Sequence, residues 1–95
     1  MNDVERQKLI KTSWEIHRVV ETAYLNLSAT IGDDEWLDKQ RVLLADMALH
    51  LLQTALNSGE IELDKLKNNL HSILTISDQF LPNAGLKNST EKLYQ

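Results

Sequence analysis

The sequence has no cysteine, only one proline and only three glycines among its 95 residues. Without cysteine, the chain can form no disulfide framework, no thiolate metal site and no cysteine nucleophile. Proline and glycine are the residues that most often end helices, so their scarcity leaves room for long ones. We therefore expect one all-α domain that is stabilised by side-chain packing.

The chain also lacks a long apolar run and an excess of basic residues. No window is long and apolar enough to predict a signal peptide or a membrane helix. The formal net charge is -4, and the basic residues are scattered, whereas binding to a phosphate backbone requires clustered Lys and Arg. These absences predict a cytoplasmic protein that does not bind nucleic acid or insert into membranes.

The most apolar segment at helical spacing runs from Trp36 to Leu56, and the rest of the chain supplies helices to pack against it. One line along this segment consists of Leu37, Leu44, Ala48, Leu51 and Ala55. It is widened on both sides by Trp36, Leu43, Met47, Leu52 and Leu56. Because no other segment has so much apolar surface, we predict that this line is the core of the fold.

Hydrophobic spacing predicts three helices, and turn residues predict where they end. Gly32 and Gly59 are placed to end the first and second helices, and Pro82 to end the third. The predicted helices cover about residues 3–31, 34–57 and 61–81. We expect residues 1–81 to form an antiparallel three-helix bundle, which a second chain can complete to a four-helix or larger bundle by dimerisation. Residues 82–95 are predicted to be a short C-terminal tail, either flexible or with one helical turn around residues 90–94.

We find no motif for catalysis, a cofactor or a metal, and the chain is therefore predicted not to be an enzyme. Acidic residues gather at the predicted starts of the second and third helices, where free N–H groups favour carboxylates without any ion. The histidines His17, His50 and His71 lie on three different helices. Because His50 falls on the polar side of its helix and only His17 borders an apolar face, we interpret all three as surface or boundary residues.

Some apolar residues lie outside the predicted bundle contacts. They are Ile10, Trp14, Leu25, Val42 and Leu49. A contiguous apolar patch on a soluble protein usually marks an interaction surface, and large aromatic residues dominate binding energy. We therefore predict that these residues bind a protein partner, with Trp14 as the anchor, and that the chain is a homodimer. The alternative is that Trp14 and Trp36 simply pack over the ends of the bundle. The predicted function is that of a regulator, inhibitor or adaptor.

Two resemblances offer more specific functions. The helix connection NSGEIE, the helix DKLKNNLHSIL and the tail NAGLKNSTEKLY resemble the layout of cytoplasmic bacteriocin-immunity proteins, which are small helical bundles with a recognition role for the C-terminal end. The segment VLLADMALHLLQTAL resembles a metal-bearing helix of MazG-type nucleotide pyrophosphohydrolases, which implies magnesium held by acidic pairs on two helices. Glu35 and Asp38 supply one such pair, whereas the first helix offers only the separated Glu15 and Glu21.

Overall fold

A computed structural model describes residues 1–95 as four α-helices without any strand. The helices are α1 (Asp3–Leu25), α2 (Trp36–Leu56), α3 (Leu63–Asp78) and α4 (Leu86–Lys92). The prediction of an all-α fold is confirmed, and a short fourth helix is added to it. None of the helices combines the length and the apolar character that a membrane span requires.

Helix α1 begins as the sequence predicts but ends earlier. The Asn2 side chain accepts a hydrogen bond from the Glu5 backbone N–H at 2.8 Å, which caps the first turn. The helix ends at Leu25 rather than near residue 31. In the following connection, the backbone N–H of Thr30 donates to the Asp33 carboxylate at 2.8 Å. Short polar side chains compete in this way for backbone groups, and here they favour a loop over a further turn of helix.

Helices α2 and α3 are also shorter than predicted, mainly at the end of α3. The residues before them, Glu35 and Glu62, make no side-chain capping bond. Helix α3 ends at Asp78, and the N–H groups of Phe80 and Leu81 both donate to the Ser77 carbonyl at 2.9 Å. This tightened turn precedes Pro82, whose ring disfavours helical conformation at the preceding residue.

The C-terminal segment folds back on α3. Helix α4 covers Leu86–Lys92, which is longer than the single turn predicted around residues 90–94. Thr90 is buried, and the Tyr94 hydroxyl donates to the Asn68 side-chain carbonyl at 2.8 Å. The Tyr94 ring also lies 5.6 Å from that of His71. These contacts make the tail part of the folded domain.

The turn between α2 and α3 depends on Gly59, which has a φ of +84°. A side chain at this position would meet no neighbour within 4 Å, so the cost of one would come from the backbone alone. We expect Gly59→Ala to lower the free energy of unfolding by about 1 kcal/mol, as measured by urea denaturation. The adjacent Ser58→Ala should change it little, and equal stability of both variants with the natural chain would contradict this account.

The helices form an open arrangement in which only consecutive helices are in contact. Helix α1 packs on α2, α2 on α3 and α3 on α4, whereas α1 and α3 do not touch. The domain measures 45 × 35 × 16 Å, and its radius of gyration is 15.0 Å. A compact chain of this length would have a radius of gyration of about 12 Å. The third contact of a closed three-helix bundle is therefore missing.

Polar side chains occupy the centre of the contact between α1 and α2. Ser13 is only 2% exposed, and its hydroxyl accepts a hydrogen bond from the Gln53 side-chain amide at 3.2 Å. Two helical turns before Gln53 on α2, the buried carboxylate of Asp46 contacts the His17 ring. The side of α2 that the sequence marks as polar is thus the side that faces α1.

The contact between α2 and α3 also has polar residues at its centre. The Thr54 hydroxyl donates to the Asn69 side chain at 2.6 Å. The Gln79 amide N–H donates to Gln40 at 2.8 Å, and the Gln79 carbonyl accepts from the Trp36 ring N–H at 2.9 Å. No buried side-chain polar atom lacks a hydrogen-bond partner. Each hydrogen bond offsets the cost of removing these groups from water.

None of the five residues of the predicted core line is fully buried, which corrects the sequence-based expectation. Only seven of the 95 residues are buried, and only Ala29 and Ile76 among them are apolar. The residues of α2 that bond to α1 and to α3 lie about 100° apart around the helix, and the predicted line points away from α1. Leu37 is 47% exposed. Ala48 and Ala55 are exposed, while Leu44 and Leu51 are half-buried. We call these five residues the uncovered face.

Candidate functional site

A cluster of two histidines and one aspartate lies between α1 and α2. Asp46 uses both carboxylate oxygens, one toward Nδ1 of His17 on α1 and the other toward Nε2 of His50 on its own helix. The second of these distances is 3.4 Å. The side chains of Asp46 and His17 are only 11% and 14% exposed, whereas that of His50 is 32% exposed. The chain therefore holds a largely buried carboxylate between two imidazoles.

Two further residues complete the surroundings of His17. Its second ring nitrogen, Nε2, lies 2.9 Å from the carboxylate of Glu21, one turn further along α1. The Trp14 ring stands nearly perpendicular to the His17 ring at 5.3 Å between centroids, and the centroids of the two imidazoles are 5.0 Å apart. Both nitrogens of His17 thus face a carboxylate, and one side of the cluster is covered by an aromatic edge.

His17 and His50 are half-buried, as expected for boundary residues, but they were not expected to come together, and here both contact Asp46. Only His71 lies apart from the cluster, beside Tyr94. A sequence signal was present, because His17 with Glu21 and Asp46 with His50 are both spaced by four residues. Residues at this spacing share one face of a helix, and their two helices were predicted to be neighbours. The cluster could have been recognised from this signal only if it had been known that these two helix faces meet.

The predicted partner-binding residues fall in several places. Ile10 and Trp14 line an open cleft of about 450 Å³ between α1 and the start of α3. Val42 is half-buried in a different groove, on the other side of α1. Leu25 is 70% exposed in the last turn of α1, and Leu49 is half-buried. The structure thus brings Ile10 and Trp14 together but gives these five residues no common surface.

The groove that contains Val42 connects α1 to the uncovered face of α2. Its walls are Val19, Val20 and Ala23 from α1 and Asp38, Arg41, Val42 and Ala45 from α2. Val19 is 71% exposed. Most of the lining is apolar, in contrast to the polar cleft that contains Trp14. Only Val42 of this groove was singled out in the sequence, because nothing there shows that Val19, Val20 and Ala23 of α1 lie opposite it.

Comparison with models of protein families, with curated proteins and with solved structures yields no match to this chain. No function can therefore be carried over from a relative. The resemblances to bacteriocin-immunity proteins and to MazG-type hydrolases stay hypotheses. A proposal for this chain has to be supported by its own residues, of which the uncovered face and the histidine cluster are the two distinctive groups.

Proposed function

We propose that the protein is a small, non-enzymatic interaction protein of the cytoplasm, and that it associates with a second copy of itself. As a regulator, inhibitor or adaptor, it would act by binding other proteins. The observation that carries this proposal is that none of the five residues of the predicted core line of α2 is fully buried within the chain. A contiguous exposed apolar surface often marks a contact with another protein chain.

The uncovered face continues onto α1 through the groove around Val42. Leu9, Ile16 and Val19 on α1 are 43%, 46% and 71% exposed. Helical spacing places Leu9 and Ile16 on the same side of α1 as Val19 and Ala23, which form one wall of the groove. The face therefore extends over two helices, which supports an occupant of about the size of a helix pair.

The accessible area supports a protein-sized occupant as well. The chain exposes 6864 Å², compared with about 5,600 Å² for a typical folded monomer of 10.9 kDa, an excess of roughly 1,300 Å². A stable interface buries about 800 Å² on each partner. The excess on one chain is thus sufficient for a standard interface, with area left over.

A second copy is the occupant that we favour. The five residues of the uncovered face are uncharged, and the nearby charges of Asp38 and Arg41 are opposite in sign and 3.9 Å apart. The face therefore does not repel a copy of itself, as a strongly charged one would. Ala48 and Ala55 allow close approach of two helices, and two-fold dimers are the commonest oligomers. In this arrangement two α2 helices would form the centre of a four-helix or larger bundle.

Multi-angle light scattering after size exclusion tests the proposal on the natural chain. We expect a molar mass of twice 10.9 kDa that persists on dilution until the dissociation constant is reached. Sedimentation equilibrium at several concentrations should give the same stoichiometry. A mass of 10.9 kDa at every concentration that can be reached would overturn self-association.

A further inference from the structure

We propose that His17, Asp46 and His50 bind one divalent transition-metal ion of the zinc type, which cross-links α1 to α2. Each residue offers one ligand atom, and the three atoms all lie within 4.8 Å of one another. Two ligands come from one face of α2 at a spacing of four residues, and the third comes from α1. This site is independent of the self-association proposed above, since all its ligands belong to one chain.

The spacing of the ligand atoms suits tetrahedral coordination. Two ligands about 2.1 Å from a tetrahedral ion are about 3.4 Å apart. Nε2 of His50 and the nearer carboxylate oxygen of Asp46 are separated by 3.4 Å. His17 and Asp46 are in direct hydrogen-bonding contact, so this pair has to open slightly when the ion enters.

Glu21 supplies the outer contact that a histidine ligand normally has. A metal-bound imidazole usually donates its other N–H to a carboxylate or carbonyl, which fixes the ring orientation and increases its basicity. The Glu21 carboxylate lies 2.9 Å from Nε2 of His17, on the side of the ring opposite Asp46. With Nε2–H of His17 donated to Glu21, the ion can take the place of the proton between Nδ1 and Asp46.

The ligand set selects the class of ion. Two imidazoles and one carboxylate favour Zn²⁺, Co²⁺, Ni²⁺ or Cu²⁺, whereas Mg²⁺ and Ca²⁺ prefer all-oxygen sites. His50 and Trp14 line the open cleft between α1 and α3, which gives the ion a path from solvent. Three protein ligands leave a fourth position for water.

The ion would compensate for a small apolar core. His17 and Asp46 are 29 residues apart in sequence, and only two apolar residues are buried in the whole chain. Small domains with a limited core often use a metal or disulfide as a cross-link, and this chain has no cysteine. Binding free energy at such a site adds to folding free energy. The metal form should therefore unfold at a higher temperature than the chelator-treated form.

Cobalt binding can be followed by two optical signals. The full chain carrying Trp36→Phe is treated with chelator and titrated with Co²⁺, so that Trp14 is the sole tryptophan. We expect visible absorption typical of tetrahedral Co²⁺ and quenching of Trp14 fluorescence, both saturating at one ion per chain. Zn²⁺ should displace Co²⁺ and reverse the quenching. Absence of saturable binding of either metal to this chain would overturn the proposal and leave His17 as an ion-paired structural residue.

Variants identify the ligands. His17→Gln, Asp46→Asn and His50→Gln should each weaken Zn²⁺ binding by at least about 100-fold, and Glu21→Gln by about 10- to 100-fold. The matched control is His71→Ala, which removes the histidine outside the cluster and should leave the affinity unchanged. Circular dichroism checks that each variant is folded. If Asp46→Asn unfolds, His50→Gln decides, because His50 is the most exposed of the three ligands. Unchanged affinity in His17→Gln and His50→Gln would contradict the assignment.

Discussion

Replacement of Ala48 by lysine is expected to convert the protein into a monomer. Ala48 is exposed within one chain, so the longer side chain meets no neighbour there, and lysine is a good helix former. At the centre of a two-fold interface, however, two ammonium groups would be buried without partners. The cost is at least about 3 kcal/mol, which weakens the dimer by more than about 100-fold. Light scattering at a concentration where the natural chain is dimeric measures this change.

Two control variants locate the interface. Thr22→Lys introduces the same charge on the outer side of α1, where Thr22 is exposed, and should leave the mass unchanged. Trp14→Ala removes the predicted anchor in the polar cleft and should also leave the dimer intact. Dissociation by Trp14→Ala but not by Ala48→Lys would place the interface at the cleft and refute the uncovered face as the contact surface.

Replacement of Asp46 by alanine is expected to lower the free energy of unfolding by about 2 to 3 kcal/mol. The substitution removes the acceptor that contacts both His17 and His50 and leaves two partly buried imidazoles without it. Loss of one partner from a buried polar group typically has a cost of this size. Urea denaturation in the presence of chelator measures the effect without any contribution from metal.

The matched control for this substitution is Asp38→Ala on the same helix. The Asp38 side chain is 69% exposed and lies 3.9 Å from Arg41, so its removal should change stability by less than about 0.5 kcal/mol. An Asp46→Ala variant as stable as Asp38→Ala would show that the histidine cluster contributes nothing to holding α1 against α2.

The helices themselves were predictable from the sequence, because hydrophobic spacing and the scarcity of Gly and Pro both favour them. The positions of the helix ends were harder to predict. The connection after Leu25 depends on hydrogen bonds such as that from Thr30 to Asp33, which compete with the helix on nearly equal terms. Helix α4 was predicted as one turn at most, because its sequence is short and polar. Its stability depends on contacts of the C-terminal segment with α3, which the local sequence does not show.

The main error concerned which side of α2 is buried. The apolar line from Leu37 to Ala55 was assigned to the core because apolar residues are usually inside. Within one chain, polar pairs such as Ser13 with Gln53 and Thr54 with Asn69 lie at the helix contacts instead. Periodicity shows that a face is apolar, but it does not distinguish burial within the chain from burial against another one. Because the polar side of α2 was not expected to face α1, the cluster of His17, Asp46 and His50 was not predicted either.

The strictly consecutive order of helix contacts also bears on how the chain folds. Because α1 meets only α2 and α4 meets only α3, every contact between helices joins two helices that are consecutive in the chain. Such a low contact order favours rapid folding, since little loop entropy is lost before contacts form. It also permits the C-terminal helix pair to open locally while α1 and α2 stay together. The domain is thus closer to a short helical array than to a single cooperative core.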